Sequence, residues 1–150
     1  MKYNELEDLK QKCILEMARV MSNFQRIERG LKDHITKKYE VINTLLNDKV
    51  AFNYSKSNVK NKMLGALIEE LSNLTDDKEF IKELKVIVPY RNEIAHERFA
   101  LITETEDLEY LKETISWLQN VGCQIDQILL RYLDDILTLT ITHYEAIWHD

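Results

Sequence analysis

One apolar stripe at helical spacing runs through the first third of the chain and constrains its fold more than any other feature. Its members follow one another at steps of three or four residues: Leu6, Leu9, Cys13, Met17, Val20, Phe24, Ile27, Leu31 and Ile35. This spacing places them on one face of an amphipathic helix. The pattern continues to Leu46, so we expect one long helix or two stacked helices, with Gly30 as the place for a bend because glycine weakens a helix interior.

A second stripe of the same kind occupies the last third of the chain. It comprises Leu108, Leu111, Ile115, Leu118, Val121, Ile125, Ile128, Tyr132 and Ile136. In the segment 137–148, residues 137–142 alternate apolar residues with threonine, which suits a strand. No partner strand is evident, so we interpret the segment as a frayed continuation of the helix. Three glycines and one proline in 150 residues are too few for the turns of an all-β fold. The sequence therefore predicts one all-α domain over residues 1–150, a bundle of four to six helices with two long antiparallel helices.

Shorter helices are expected between the two stripes. Lys49 to Lys62 is rich in asparagine and serine and is interpreted as a loop, after which a helix starts at Val59 to Met63 with Ser57 or Asn58 as its cap. Thr75, Asp76 and Asp77 are expected to end that helix and to cap the next, with Glu79 in a capping-box-like position three residues past Asp76. A second capping box is expected at Thr103–Glu106, after a linker over residues 101–105. Pro89 is expected to end one helix and to open a short one over residues 90–99, which would make a sharp joint.

Several classes of protein are excluded by the residues that the chain lacks. Two cysteines do not make a disulfide framework, and Met1 opens no basic-then-apolar leader, so we expect a cytoplasmic protein. No apolar run approaches the roughly 20 residues that span a bilayer. Gly-rich phosphate loops, paired CxxC and H-E-x-x-H motifs do not occur. His143, His149 and Asp150 make at best a weak metal site, so we expect no metal and no cofactor.

Charge is distributed unevenly along the chain. The net charge is −6, but residues 1–62 carry +5 and residues 63–150 carry −11. A basic face can bind phosphates even on an acidic protein. The best candidate for RNA binding is the stretch from Lys49 to Lys62, which has no acidic residue and interleaves lysines with aromatic side chains suited to base stacking: Lys49, Phe52, Tyr54, Lys56, Lys60 and Lys62. A plain polar loop is the alternative.

An arginine and a histidine just after Pro89 offer coherent chemistry. In Arg91-Asn92-Glu93-Ile94-Ala95-His96, a neutral imidazole can take the proton of a ribose 2′-hydroxyl while the guanidinium holds the scissile phosphate. Asn92 and His96 share a face of a regular helix, whereas Arg91 and His96 are about 140° apart. Either the joint at Pro89 or a second subunit must therefore bring Arg91 and His96 together.

The same separation occurs once more, at Arg29 and His34. There it lies inside the continuous first stripe, where His34 is expected to be a solvated helix residue. The alternative for Arg91 and His96 is likewise structural, with both side chains capping helices or satisfying buried groups.

The segment R-N-E-I-A-H, on an all-α chain of this size, resembles the R-x4-6-H signature of HEPN domains, in which a polar residue typically follows the arginine. The resemblance implies a metal-independent endoribonuclease that dimerises so that two motifs line one cleft, acting on RNA as a toxin or an abortive-infection or phage-defence effector. Arg91 and His96 would be catalytic, and Asn92 would orient His96 or contact the phosphate.

Two features depart from the family pattern. Where toxins paired with a nucleotidyltransferase antitoxin usually carry a tyrosine two residues after the histidine, this chain has Arg98, which could supplement Arg91 in binding RNA or pair with Glu93 or Glu97. The acidic net charge is the second departure. A non-catalytic HEPN-fold regulator or antitoxin-like module that binds a protein partner through an apolar helical face is therefore the alternative function, and a purely structural helical dimer is a third.

Overall fold

The computed structural model describes residues 2–46, 49 and 56–148, and every regular element in them is helical. The elements are α1 (Lys2–Leu46), α2 (Lys56–Lys60), α3 (Leu64–Ser72), α4 (Lys78–Glu93), a π turn (Ile94–Arg98), α5 (Phe99–Glu104) and α6 (Leu108–Trp148). Because α4, the π turn and α5 follow one another without a break, the described residues form five separate helices. The predicted all-α bundle of four to six helices is confirmed.

Both apolar stripes form the core, as their spacing predicted. Buried members of the first stripe are Cys13, Met17, Val20, Phe24, Ile27, Leu31 and Ile35, and those of the second are Leu111, Leu118, Val121, Ile125, Ile128 and Tyr132. The last segment, through Trp148, is helical as expected. The chain divides into two compact units, the first made of Met1–Arg26 with Val86–Ile128 and the second of Ile27–Lys85 with Leu129–Asp150.

Helices α1 and α6 run parallel within the first unit, so the expected antiparallel pairing is wrong. The Cys13 thiol donates a hydrogen bond to the Leu111 carbonyl, 3.4 Å away, and Asn23 donates to Asp126 at 3.2 Å, so residue numbers rise together along both helices. The segment from α4 to α5 returns the chain between them. Lys10 Nζ on α1 donates to the Thr103 carbonyl at 2.9 Å, which puts the end of α5 beside the start of α1.

Pro89 lies inside α4 and ends no helix, contrary to the expectation of a joint there. A proline within a helix removes one backbone hydrogen bond and crowds the preceding turn. Here the backbone stays helical through Glu93 and departs from α geometry only at the π turn, which begins five residues after the proline.

The helix starts agree with the predicted caps only in part. Of the three residues predicted to cap α4, it is Asp77 that does so, because its carboxylate accepts the Phe80 N–H at 2.9 Å. Asp107 caps α6 by accepting the Glu109 N–H at 3.0 Å, whereas Thr103 lies inside α5. Each aspartate lies directly before its helix, where a carboxylate reaches the unpaired N–H groups of the first turn.

The start of α3 and the polar stretch before it also differ from the prediction. Lys56–Lys60 forms the short helix α2 within the stretch expected to be a loop. Helix α3 begins only at Leu64, and its N-cap residue Met63 makes no side-chain capping bond, so neither Ser57 nor Asn58 caps it.

Gly30 permits a close contact between α1 and α6, and the bend expected there stays a prediction. Helix α1 continues through it, and the Tyr132 hydroxyl of α6 donates a hydrogen bond to the Gly30 carbonyl. A Cβ atom at Gly30 would lie 2.6 Å from Cε1 of Tyr132, far inside van der Waals contact. The missing side chain lets the tyrosine ring pack against the α1 backbone in the second unit.

Candidate active site on a π turn

The π turn accommodates one extra residue between two buried isoleucines. Ile87 and Ile94 are both buried and seven residues apart, which matches two turns of α-helix. Ile102 is buried as well and follows Ile94 by eight residues, a separation that Ile27 and Ile35 also have on the continuous helix α1. A wider turn with i→i+5 hydrogen bonds takes up one residue between Ile94 and Ile102, and both side chains stay in the core.

An ion pair spans the π turn at the same five-residue separation. The Arg98 guanidinium donates from Nε to Glu93 Oε1 at 2.9 Å, and its Nη2 lies 2.7 Å from the same oxygen. Residues five apart lie about 140° apart on a regular helix. The pair is therefore compatible with the π turn, where such residues approach one side of the helix, and it ties the two ends of the turn together.

Arg98 also ties this turn to α6. Its guanidinium lies over the Trp117 ring at 4.5 Å from the centroid, and Nη1 donates to the Tyr110 hydroxyl at 3.2 Å. Tyr90 meets the same tryptophan edge-on, with ring centroids 5.8 Å apart. A half-buried arginine held by a carboxylate and an aromatic face is fixed more firmly than a surface ion pair would be.

The three residues of the predicted catalytic motif lie on the surface of this helix. Asn92 and His96 are exposed and Arg91 is partly exposed, while Ile94 between them is buried. No hydrogen bond joins the His96 imidazole to another described residue. Because His96 lies within the π turn and Arg91 precedes it by five residues, the angle between them around the axis is smaller than the 140° of an α-helix.

Phe99 is a candidate that the sequence analysis missed. It follows His96 by three residues at the start of α5, and 54% of its side chain is exposed. A large aromatic side chain that stays exposed next to the motif is suited to stacking on a nucleic-acid base. The sequence gives no signal for its exposure, because Phe99 precedes Ile102 by three residues, which is a spacing typical of a buried helix face.

The predicted RNA-binding lysines belong to the second unit, whereas the motif and Arg98 belong to the first. Lys49 and Lys60 are exposed, and Lys56 begins α2. Lys62 pairs with Glu70, whose carboxylate also accepts the Tyr39 hydroxyl at 2.5 Å. Phe52 and Tyr54 lie outside the described residues. RNA binding by these residues stays a prediction, and the Arg98 guanidinium is already held by partners within the chain.

His34 is buried, contrary to the solvated position expected for it. Only 5% of its surface is exposed, and its Nδ1 atom has no hydrogen-bond partner in the described part of the protein. Burial, with a smaller contribution from the charge of Lys38, lowers the pKa of His34 to about 4. It borders a cavity of 210 Å³ in the second unit, which is also lined by Lys38, Leu71, Thr75, Asp77, Phe80, Asp135, Thr138 and Thr142.

Metal ligands do not cluster in the described residues. Within 2–46, 49 and 56–148, no three His, Cys, Asp or Glu side chains are grouped so that they could hold a metal ion. Of the weak terminal set, His149 and Asp150 lie outside those residues. None of the helices in the described ranges is long and apolar enough to cross a membrane.

Comparisons of the chain with family models, with curated proteins and with solved structures give no match.

Proposed function

We propose that this protein is a HEPN-type, metal-independent endoribonuclease that cleaves single-stranded RNA. The observation that carries the proposal is the π turn at Ile94–Arg98. The wider π turn reduces the angle between Arg91 and His96 around the helix axis. The two side chains can therefore approach the same side of one helix although they are five residues apart. π turns inside α-helices occur frequently at functional sites.

Each motif residue has a defined role in the proposed reaction. His96 accepts the proton of a ribose 2′-hydroxyl, and the 2′-oxygen attacks the adjacent phosphorus. Arg91 binds the phosphate oxygens and stabilises their added negative charge. The bond from phosphorus to the 5′-oxygen breaks, that oxygen takes up a proton, and the products are a 2′,3′-cyclic phosphate and a 5′-hydroxyl. Asn92, one helical turn before His96, orients the imidazole or contacts the phosphate.

A homodimer is part of the proposal. Two copies of the motif in one cleft would supply an imidazole base and a second imidazole that protonates the leaving oxygen. A ribonuclease without sequence restriction harms its own cell, so the proposed biological role is that of a toxin or phage-defence effector in the cytoplasm, restrained by a cognate antitoxin or regulatory protein.

Cleavage by matched variants tests the catalytic roles. Purified protein in EDTA should cleave a mixed-sequence single-stranded RNA, and Arg91→Ala and His96→Ala should each reduce the rate by about 10²–10⁴-fold. Arg29→Ala is the matched control, because Arg29 is an exposed helical arginine that also precedes a histidine by five residues. Its rate should stay within about twofold of the parent. Circular dichroism checks that all three variants fold.

The alternative function is a non-catalytic HEPN-fold module that binds a protein partner. A row of exposed apolar side chains on the last turns of α6 favours it, because such a row is suited to helix packing. A well-folded parent protein that leaves single-stranded RNA uncut would support this function over the ribonuclease.

A further inference from the structure

Five large apolar side chains form an exposed row along the second half of α6. Each exposes between 51% and 69% of its surface, and they follow one another at steps of three, four, four and three residues: Leu130, Leu133, Leu137, Ile141 and Tyr144. We call these five residues the tail row. At 3.6 residues per turn they fall within an arc of about 80°, so they share one face of the helix.

The tail row has the spacing of a helix-packing seam. Two heptads of apolar residues at three- and four-residue steps are what one helix presents to another in a coiled coil. The buried face of α6 is a different one, marked by Ile125, Ile128 and Tyr132. The core of this protein therefore does not explain the tail row, and a contiguous exposed apolar surface marks an interaction site.

The acidic residues beside the tail row indicate which kind of partner it binds. Asp134 and Glu145 are exposed and lie beside Ile141 around the helix, within about 40° of it. No lysine or arginine occurs after Arg131. A second copy of the same face would bring like charges together along the seam, and anionic lipids would be repelled in the same way. A helix with lysines or arginines flanking its apolar face would instead be attracted.

We propose that the tail row is the docking surface for a basic amphipathic helix of another protein. The partner helix packs apolar residues against Leu133, Leu137 and Ile141, and its basic residues lie beside Asp134 and Glu145. This surface is separate from the π turn and does not depend on ribonuclease activity. The partner helix should therefore bind the tail row whether or not the protein cleaves RNA.

A designed peptide tests both the apolar and the charged part of the surface. The probe is a fluorescein-labelled helix of about three heptads, with leucine at positions a and d, lysine at e and g, and alanine elsewhere. The matched probe carries glutamate in place of every lysine. Fluorescence anisotropy of the intact protein should show binding of the lysine probe at least about tenfold tighter than that of the glutamate probe.

Variants of the surface separate its two parts. Leu133→Ser combined with Leu137→Ser should weaken binding of the lysine probe by more than about tenfold, because both leucines supply contact area. Leu15→Ser is the matched control, since Leu15 is 70% exposed on α1 and lies outside the tail row. Asp134→Asn combined with Glu145→Gln should reduce the preference for the lysine probe to about twofold or less. All four leucine and acidic positions are exposed, so the folded state should survive.

Three outcomes would overturn the proposal. One is equal binding of the two probes, and another is binding that the Leu133→Ser, Leu137→Ser variant leaves unchanged. The third is a dimer, detected by light scattering, that excludes the lysine probe and that the same variant dissociates. That result would make the tail row an interface between copies of this chain.

Discussion

Gly30 and Gly65 offer a matched test of packing at the scale of single residues. A Cβ atom at Gly30 would meet the buried Tyr132 ring at 2.6 Å, whereas nothing lies within 4 Å of the same atom at Gly65 in α3. Gly65→Ala should raise the free energy of unfolding by up to about 1 kcal/mol through helix propensity. Gly30→Ala should lower it by about 1–2 kcal/mol, because overpacking outweighs that gain. Urea denaturation measures both, and equal stabilisation by the two substitutions would contradict the packing described for Tyr132.

His34 gives the stability a defined dependence on pH. Its pKa is about 4 in the folded protein and near 6.5 when unfolded, so the unfolded chain takes up a proton first as the pH falls. The free energy of unfolding should therefore fall between pH 6.5 and pH 4, by roughly 3 kcal/mol from this group at ~1.4 kcal/mol per pH unit. Below pH 4 this group adds no further loss.

His34→Gln isolates that contribution, because glutamine keeps a polar side chain but does not titrate. Urea denaturation at pH 7.0 and pH 4.5 should show a clearly smaller loss of stability in the variant than in the parent. Identical losses in the two proteins would mean that His34 is not kept neutral by burial. The carboxylates near the cavity titrate in both proteins and cancel in the comparison.

At the scale of elements, the π turn can be removed by deleting one residue. Without the exposed Ala95, Ile94 and Ile102 become seven residues apart, and Glu93 and Arg98 become four apart, which are both ordinary α-helical spacings. We expect the deletion variant to keep its helical circular dichroism and to unfold cooperatively. Arg91 and His96 also become four residues apart, which keeps them on one side of a regular helix, so RNA cleavage should persist.

The same variant can fail in two informative ways. Loss of cleavage by a folded deletion variant would show that placing Arg91 and His96 on one side of the helix does not suffice, and that the reaction requires the geometry of the π turn itself. Loss of folding would show that the wider turn is needed for the packing of Ile102, and Glu97→Ala, an exposed substitution within the turn, would then serve as the folded control.

Arg98 should stabilise the fold through its two kinds of partner. Arg98→Met should lower the free energy of unfolding by about 1–3 kcal/mol, because it leaves Glu93 without its cation and Trp117 without the guanidinium above its ring. Combining it with Glu93→Gln in a double-mutant cycle should give a coupling energy of about 1 kcal/mol. A coupling energy near zero would mean that the ion pair across the π turn contributes nothing.

Sequence periodicity predicted the elements far better than their ends. The two stripes were recognisable because a helix repeats its buried face every three or four residues, and that pattern also carried α6 to Trp148. The π turn is not predictable from the apolar pattern, because buried residues eight apart, such as Ile94 and Ile102, also occur on a regular α-helix, as Ile27 and Ile35 do on α1. The burial of His34 was missed because its polarity outweighed its place next to Ile35 on the buried side of α1.

At the scale of the whole molecule, the direction of the long helices could not be read from their stripes. A buried face has the same residue pattern whether its neighbour runs parallel or antiparallel, so the direction is decided by contacts such as those of Cys13 and Asn23 with α6. Which exposed faces meet a second copy or another protein is likewise not encoded in core periodicity. The tail row is recognisable as a surface only because the structure shows which face of α6 is buried.

The ribonuclease proposal for the whole chain specifies which bond of the RNA is broken, between phosphorus and the 5′-oxygen, and which chemical groups the two fragments carry. Purified protein should be incubated in EDTA with a DNA oligonucleotide that contains a single ribonucleotide, and the products should be weighed by mass spectrometry. We expect one cut, directly after the ribose, with a 2′,3′-cyclic phosphate on one fragment and a 5′-hydroxyl on the other, and no cut in the all-DNA control. A folded protein that leaves the ribonucleotide and a mixed-sequence RNA uncut, or that produces 5′-phosphate ends, would contradict the proposed reaction.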